Sequence, residues 1–502
     1  MSRRICFLTT NDFGFGGSED LWIGAVRWLV GQGHDVSASV RRWDPCPPLL
    51  RSLATDGCRM LWRDVPPSGH DVDAVVGQRA DLVVVAQGFQ LEGLEWLRRL
   101  VADRMPFVVA NNCVHEAGWP VLGDRQLAEY ARLHGEARAF YFVSHGNRRL
   151  YEKFFGAELP RVEILRNPFK VGYDARPEWP GGDRLRLATV GRLECYHKGY
   201  DLLMEVLASP QWHTRPLEVH LFGDGPHREL LGRLAARSGF PHIEFHGVVD
   251  DIEAIWRDHH ALVQPSRLEG MPLSVAEAML CGRPVVATDV GGHREFVEDG
   301  VSGFIAEAAT ASHVGRALER LWESRGRLAE MGVVAAASAR RLLPRDPCQE
   351  FGRRILDVAG RALAGDRHEG PAPHLSNLYF GPDGAFSEDR KYEQTFLPRT
   401  RCRLEFHDVF GRVRFDPDVR PGRFRIRTTT LRDARNRTVF SARGKELSDV
   451  WDVGGTARLV ARDDDGLLIE STGADPWLLL STPDRPVEEA VTVTIELESL
   501  EE

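Results

Sequence analysis

Two carboxylates, Glu269 and Glu277, lie in the run Gln264-Pro265-Ser266-Arg267-Leu268-Glu269-Gly270-Met271-Pro272-Leu273-Ser274-Val275-Ala276-Glu277-Ala278-Met279-Leu280-Cys281-Gly282. An apolar run ends at Pro265, a loop carries Glu269-Gly270, Pro272 suits a first helical position, and Gly282 suits the residue just past a helix end. Such a strand, loop and helix unit turns the free backbone N–H groups of Met271, Leu273 and Ser274 toward whatever lies above the sheet. A helix N-terminus there favours an anion such as a diphosphate. A carboxylate accepts hydrogen bonds from two neighbouring hydroxyls at once, as on a sugar or a ribose, so Glu269 and Glu277 can hold two parts of one ligand. Taken singly, each also reads as an ordinary loop or helix carboxylate.

Other polar groups punctuate strand ends. Gly14-Phe15-Gly16-Gly17-Ser18-Glu19 follows the first apolar run, and Gly16 and Gly17 let backbone come close to a ligand or simply make a tight turn. His115, in Asn111-Asn112-Cys113-Val114-His115-Glu116-Ala117-Gly118-Trp119-Pro120, follows another run, where open α/β sheets bind ligands. Glu116, Trp119, Ser144 and His145 are further candidates on the same edge, with a loop histidine held by backbone as the plainer alternative for His115. No H-E-x-x-H and no Cys/His cluster points to a metal, and Asp463-Asp464-Asp465 before Gly466 reads as an exposed hairpin turn.

These groups need a frame to hold them, and the patterning supplies one. Short apolar runs alternate with helix-like segments through residue 345, as in parallel strands covered on both faces. The expected division is an N-terminal Rossmann-like domain over 1–175, a second over 183–345, a helix over 346–364 returning to the first, and a β module over 374–502. Arg176 to Asp183 and Gly365 to Pro373 read as linkers. Period-two alternation at Arg401 to Phe406, Arg423 to Thr429, Ala457 to Ala461 and Val491 to Glu498 predicts an antiparallel β-sandwich.

The 502 residues suit several cores, and 43% hydrophobic with 27% charged residues is a globular composition. A net charge of −9 gives no basic footprint for nucleic acid. The 8 cysteines are scattered singly, which fits a reducing cytoplasm, and no run approaches the ~20 apolar residues of a membrane span. Membrane contact is therefore expected to be peripheral, at the inner face.

The spacing of Glu269 and Glu277, followed by Ala278-Met279 and Cys281-Gly282-Arg283-Pro284-Val285-Val286-Ala287-Thr288-Asp289-Val290-Gly291-Gly292, resembles the signature of family 4 of the retaining glycosyltransferases. The resemblance extends to Val190-Gly191-Arg192-Leu193 with Lys198-Gly199, to Phe222-Gly223-Asp224-Gly225-Pro226, to His246-Gly247, and to Glu295 with Asp299-Gly300 and Gly303-Phe304. It implies a GT-B fold, α/β in class, with two Rossmann-like domains facing a cleft and donor binding mainly in the second; the β-sandwich-like module is additional. By position, Glu277 resembles the ribose-binding glutamate, Glu269 the residue on the donor sugar, and Arg192 with Lys198 the basic pair on the diphosphate. Gly16, Gly17, Gly223, Gly270, Met271, Pro272 and Leu273 fall on donor-contacting loops, and His115 resembles a histidine that contacts the sugar and helps position the acceptor. The stretch Cys195 to His197 departs from the commonest form of the family's loop.

The implied activity is metal-independent, retaining transfer from a nucleotide-diphosphate sugar to a glycan, lipid-linked or other acceptor, as in bacterial surface-polysaccharide assembly, with no cofactor. Two other classes stay open: a sugar-nucleotide epimerase or hydrolase on the same fold, and a glycan-binding scaffold with a vestigial core. In the terminal module, Val413-Arg414-Phe415-Asp416-Pro417 and Gly473-Ala474-Asp475-Pro476-Trp477 resemble sandwich modules of polysaccharide-assembly transferases, and Trp451 and Trp477 are candidates for stacking on sugar rings or for the core.

Overall fold

The computed structural model describes residues 2–10, 17–64, 75, 77–115, 122–363, 374–381, 391–396, 401–409, 412–417, 422–433, 438–480 and 491–500. They belong to two compact units, Met1–Gly365 and Asp366–Glu502.

In the first unit, β1 (Arg4–Thr9), β2 (Asp35–Arg41), β3 (Arg59–Arg63), β4 (Leu82–Phe89), β5 (Phe107–Cys113), β6 (Phe140–Phe142) and β7 (Val162–Ile164) make one parallel sheet in the order β3-β2-β1-β4-β5-β6-β7. A second parallel sheet, β10-β9-β8-β11-β12-β13, is built from β8 (Leu185–Val190), β9 (Leu217–Phe222), β10 (Ile243–Gly247), β11 (Ala261–Gln264), β12 (Val285–Thr288) and β13 (Gly303–Ala306). Strands such as β4 and β12 are buried on both faces, which is why they read as unbroken apolar runs. Each sheet reverses its strand order once, between β1 and β4 and between β8 and β11. Open α/β sheets bind ligands at the strand C-termini beside such reversals.

β3 has no continuous apolar run, because its sequence Arg-Met-Leu-Trp-Arg is charged at both ends. It pairs with β2, and its buried Arg63 is accommodated because its guanidinium donates to the Ser39 and Thr9 carbonyls at 2.7 Å each and lies over the Trp96 ring. The Pro347–Leu363 helix packs on the Gly17–Gly31 helix and adds Phe351, Ile355 and Val358 to the first sheet's core. The approach is close enough that a Cβ on Gly24 would lie 2.3 Å from Cys348 Sγ, and one on Gly352 would lie 2.2 Å from the Trp28 ring.

The second unit holds β14 (His374–Gly381), β15 (Lys391–Phe396), β16 (Arg401–Val409), β17 (Arg412–Asp416), β18 (Gly422–Arg432), β19 (Thr438–Arg443), β20 (Trp451–Asp463), β21 (Gly466–Leu480) and β22 (Val491–Ser499). The sandwich-like expectation takes the form of one antiparallel sheet, β15-β14-β17-β21-β18-β22-β16, with β19 on β18 and β20 on β21. Its two ends approach each other, β14 and β15 contacting β16, so a single sheet curls around one core of Phe415, Ile426, Leu467, Ile469, Leu478 and Ile495. Trp451 belongs to that core and donates its Nε1–H to Thr429 Oγ1 at 2.9 Å, which removes it as a sugar-stacking surface. Trp477 is half-buried across Gly454. Asp463 accepts a hydrogen bond from the Asp465 amide at 2.9 Å in the turn between β20 and β21, the hairpin reading of the three aspartates.

Candidate active site

β11 and the Leu273–Leu280 helix bracket the loop that carries Glu269. Pro272 precedes this helix and gives it no side-chain cap, leaving first-turn N–H groups for another acceptor. Glu269 is buried, and its Oε1 accepts from Lys198 Nζ at 2.7 Å, from Ser266 Oγ at 2.7 Å and from Gln264 Nε2 at 3.4 Å. Burial alone raises a carboxyl's pKa; here Lys198, His293 and the hydrogen bonds outweigh it and hold Glu269 below the usual range, ionised. Lys198 arrives from the C-terminal end of β8 through the short Cys195–Lys198 helix. Glu194 caps that helix, accepting from the Tyr196 and His197 amides at 2.7 and 2.8 Å. The unusual Cys195 to His197 stretch therefore makes a capped turn that delivers Lys198 to Glu269.

Glu277, one helical turn into the same element, is buried with Oε1 accepting from the Lys170 amide at 2.9 Å. Desolvation pushes its pKa up to about 7, with the Lys170 amide and charge pulling down and Asp20 adding to the rise. Asp20 lies at the start of the Gly17–Gly31 helix, and its carboxylate is 3.7 Å from Lys170 Nζ. Glu277 thus faces the helix that follows the glycine-rich loop of the first sheet.

The two halves of this unit meet along a seam beside Glu269. Gly270 touches the first sheet so closely that a Cβ there would lie 1.9 Å from the Asn112 carbonyl oxygen. Asn147 Nδ2 donates to the Glu269 and Gly270 carbonyls at 3.1 and 3.3 Å, and the Gly146 amide donates to Glu295 at 3.0 Å. Glu295 is in turn paired with Arg166 at 2.7 Å, both nearly buried. Ser144 caps the His145–Phe155 helix by accepting from the Asn147 amide at 3.1 Å, a structural role, while His145 is exposed. Cys113 is near enough to Glu269 and Lys198 to feel both charges; burial, reinforced by Glu269, pushes its thiol up to about 12.

His115 is half-buried at the mouth of this seam. Its ring meets Phe89 edge-on at 4.7 Å, and the His197 ring from the second half stacks with Phe89 at 6.4 Å. Desolvation and then the charge of His197 lower its pKa, so His115 is neutral near pH 7. Arg192 is exposed at the end of β8 and makes no ion pair among the described residues. Met271 is turned inward, its Sδ accepting from the Asn167 amide at 3.0 Å. Gly223 packs on the end of β8, where a Cβ would lie 2.0 Å from the Gly191 carbonyl oxygen. Gly17 opens its helix, whereas Gly14 to Gly16, Glu116 and Trp119 lie outside the described residues.

Among the candidates, Glu269 and Lys198 are joined directly, with His115 across the seam from His197. Phe89, Asn147, Lys170 and His293 were not singled out by residue type, whereas Glu295 was named through the resemblance and pairs here with Arg166. His293 lies fully buried beside Glu269, its Nδ1 on the Thr288 carbonyl at 2.7 Å and its Nε2 without a partner among the described residues.

Residues 184–324 match the family model described as "Glycosyl transferases group 1". Over 360 residues the chain is 30% identical to the GDP-mannose-dependent alpha-(1-6)-phosphatidylinositol monomannoside mannosyltransferase of Mycolicibacterium smegmatis, covering 65% of this chain and 91% of that protein. The chain belongs to the group 1 glycosyl transferases. The transferase is also 30% identical over 263 residues to the alpha-D-kanosaminyltransferase of Streptomyces kanamyceticus, covering 48% of this chain and 63% of that one. Its fold matches that of Anabaena HepE in complex with UDP at a TM-score of 0.58 and 19% identity, covering 70% of this chain and 99% of that one. The glycosyltransferase of Rickettsia africae matches at a TM-score of 0.60 and 13% identity, covering 73% and 100%. These likenesses identify a nucleotide-sugar glycosyltransferase of GT-B fold and family 4 type, and do not favour an epimerase, a hydrolase or a vestigial scaffold. Among the described residues no helix is long and apolar enough to cross a membrane.

Proposed function

We propose that the transferase moves a hexose from a nucleoside-diphosphate donor to a glycan with retention at the anomeric carbon, using no metal ion at the diphosphate. The observation that carries this reading is the ionised Glu269 clamped by Lys198 at 2.7 Å beside an uncapped helix N-terminus, with the exposed Arg192 on the neighbouring strand end. Lys198, Arg192 and the helix N–H groups supply fixed positive charge for a leaving diphosphate, the work a cation does in other transferases. Three donors already occupy one oxygen of Glu269, which suits a group that orients sugar hydroxyls better than a nucleophile. A front-face reaction, in which the departing phosphate takes the acceptor proton, then accounts for retention. Glu277 holds the ribose, and neutral His115 contacts the sugar and helps position the acceptor. The mannosyl relative is named for GDP-mannose and the HepE structure for UDP, so both bases belong among the candidate donors.

A thermal-shift series with GDP, UDP and their hexose conjugates, with and without EDTA, tests the reading. A ligand at a hundred times its dissociation constant stabilises by about 2.7 kcal/mol. One nucleotide class should raise the melting temperature to the same extent in EDTA; no shift with any of them, or a shift abolished by EDTA, contradicts it.

A further inference from the structure

The outer edge of the second sheet carries a side-chain group with no part in the transfer site. β9 and β10 run parallel with Glu244 opposite His220, so Glu218, His220 and Glu244 share a face, and His246, at a bulge between Phe245 and Gly247, lays its ring on that face against His220 and Phe222. His246 Nε2 lies 3.1 Å from His220 Nδ1 and 3.6 Å from Glu244 Oε2. The other nitrogen of His220, Nε2, lies 3.7 Å from Glu218 Oε2. Both rings are held from outside the pair: His246 stacks on Phe222 at 4.6 Å, and His259 meets His220 edge-on at 4.7 Å.

These spacings suit a shared ion. With zinc-to-ligand bonds of about 2.0–2.1 Å, a 3.1 Å separation subtends about 95–100° at the metal and 3.6 Å about 120°, on either side of the tetrahedral angle. The ligand atoms of His220, Glu244 and His246 all lie within 4.8 Å of one another, and the mostly exposed Glu244 can close the longest gap by rotating. Two imidazoles with one carboxylate favour zinc over the all-oxygen preference of magnesium or calcium. Glu218, 3.7 Å behind His220 Nε2, is placed to close onto that nitrogen as the carboxylate that fixes a liganding imidazole's tautomer and raises its basicity.

We infer that His220, His246 and Glu244 bind one zinc ion, with Glu218 as the outer partner of His220, and that the ion clamps the edge strand β10 to β9. The clamp lies next to the donor-domain loop: Phe222 precedes Gly223, His246 precedes Gly247, and the Gly223 amide donates to the Gly247 carbonyl at 2.7 Å. Glu244 and His246 are two residues apart on β10, while His220 lies some two dozen residues earlier on β9, and strand pairing brings it to them. This goes beyond sugar transfer and stands independently of it.

The test is calorimetric titration of the chelator-treated full chain with zinc chloride, paired with thermal melts and the visible absorbance of the cobalt(II) form. One equivalent should bind at micromolar zinc or tighter, raise the melting temperature and give tetrahedral cobalt bands. His246→Ala and Glu244→Gln should each weaken binding at least tenfold, and Glu218→Gln about 10–100-fold with the stoichiometry kept. Glu244 is exposed, so its substitution reports even if a histidine variant does not fold. Sub-stoichiometric binding, or binding unchanged in Glu244→Gln and His246→Ala, overturns the proposal; a simple hydrogen bond between the two imidazoles gives that result.

Discussion

Glu277 is buried, and burial opposes its charge more than the Lys170 amide and ammonium favour it, which leaves its pKa at about 7. The native state therefore binds more protons than the unfolded state between about pH 4.5 and 7, so this group's contribution to stability falls as pH rises through that window and is constant above it. In the proposed role the ribose diol would donate to the ionised form, so nucleotide affinity should rise with pH toward about 7 and then level. Isothermal titration at several pH values should show this rise in the native chain, and Glu277→Gln should bind about tenfold or more weakly near pH 7.5 with that component of the pH dependence gone. An unchanged profile in the variant removes Glu277 from the ribose. Lys198 is a poorer probe of phosphate charge, because its loss also leaves Glu269 buried and unpaired. Arg192 is exposed, so Arg192→Ala should keep its melting temperature within a degree or two and lose about 10²–10³ in kcat; near-normal turnover removes it from the leaving group. The spacing of Glu269 and Glu277 made both legible as candidates in the sequence. Lys170 and Asn147 were not, since one acts through its backbone amide and the other on carbonyls more than a hundred residues away, contacts that leave no trace in residue type.

Elements buried on both faces announced themselves as apolar runs, and β8 and β12 coincide with theirs. β3 did not, because its inward arginine is satisfied by carbonyls of β1 and β2, a pairing that only the assembled sheet provides. The β unit's alternation was readable, but whether alternating strands stack as two sheets or curl as one depends on twist and register between distant strands. The strand-loop-helix unit around Glu269 does more than present a ligand surface, since Gly270 lets its loop abut the Asn112 carbonyl of β5. Gly270→Ala adds a Cβ at 1.9 Å from that oxygen, so the seam must open. The expected outcome is a loss of about 1–3 kcal/mol in unfolding free energy, the usual range for overpacking, with turnover reduced more than nucleotide affinity. Denaturant melts and steady-state rates on the purified variant check it; native stability and rate together contradict a closed seam.

At the scale of the whole molecule, each compact unit carries its own core, and the boundary falls at Gly365 and Asp366. All the proposed donor contacts lie in the first unit. A chain ending at Gly365 keeps Phe351, Ile355 and Val358 in the first core, and should fold and bind nucleotide as the full chain does. If the β unit anchors a glycan, the shortened chain should transfer normally to a short acceptor and poorly to a long one, because an anchor acts by raising local acceptor concentration. Equal rates on the long acceptor would dismiss the anchor. The central claim concerns the bond that is made, and the anomeric configuration of the transferred sugar tests it most directly. Proton NMR of the glycan product formed from an α-linked nucleotide sugar, recorded in the presence of EDTA, should show an α-glycoside. A β-glycoside, or free or epimerised sugar without glycan product, would contradict the account.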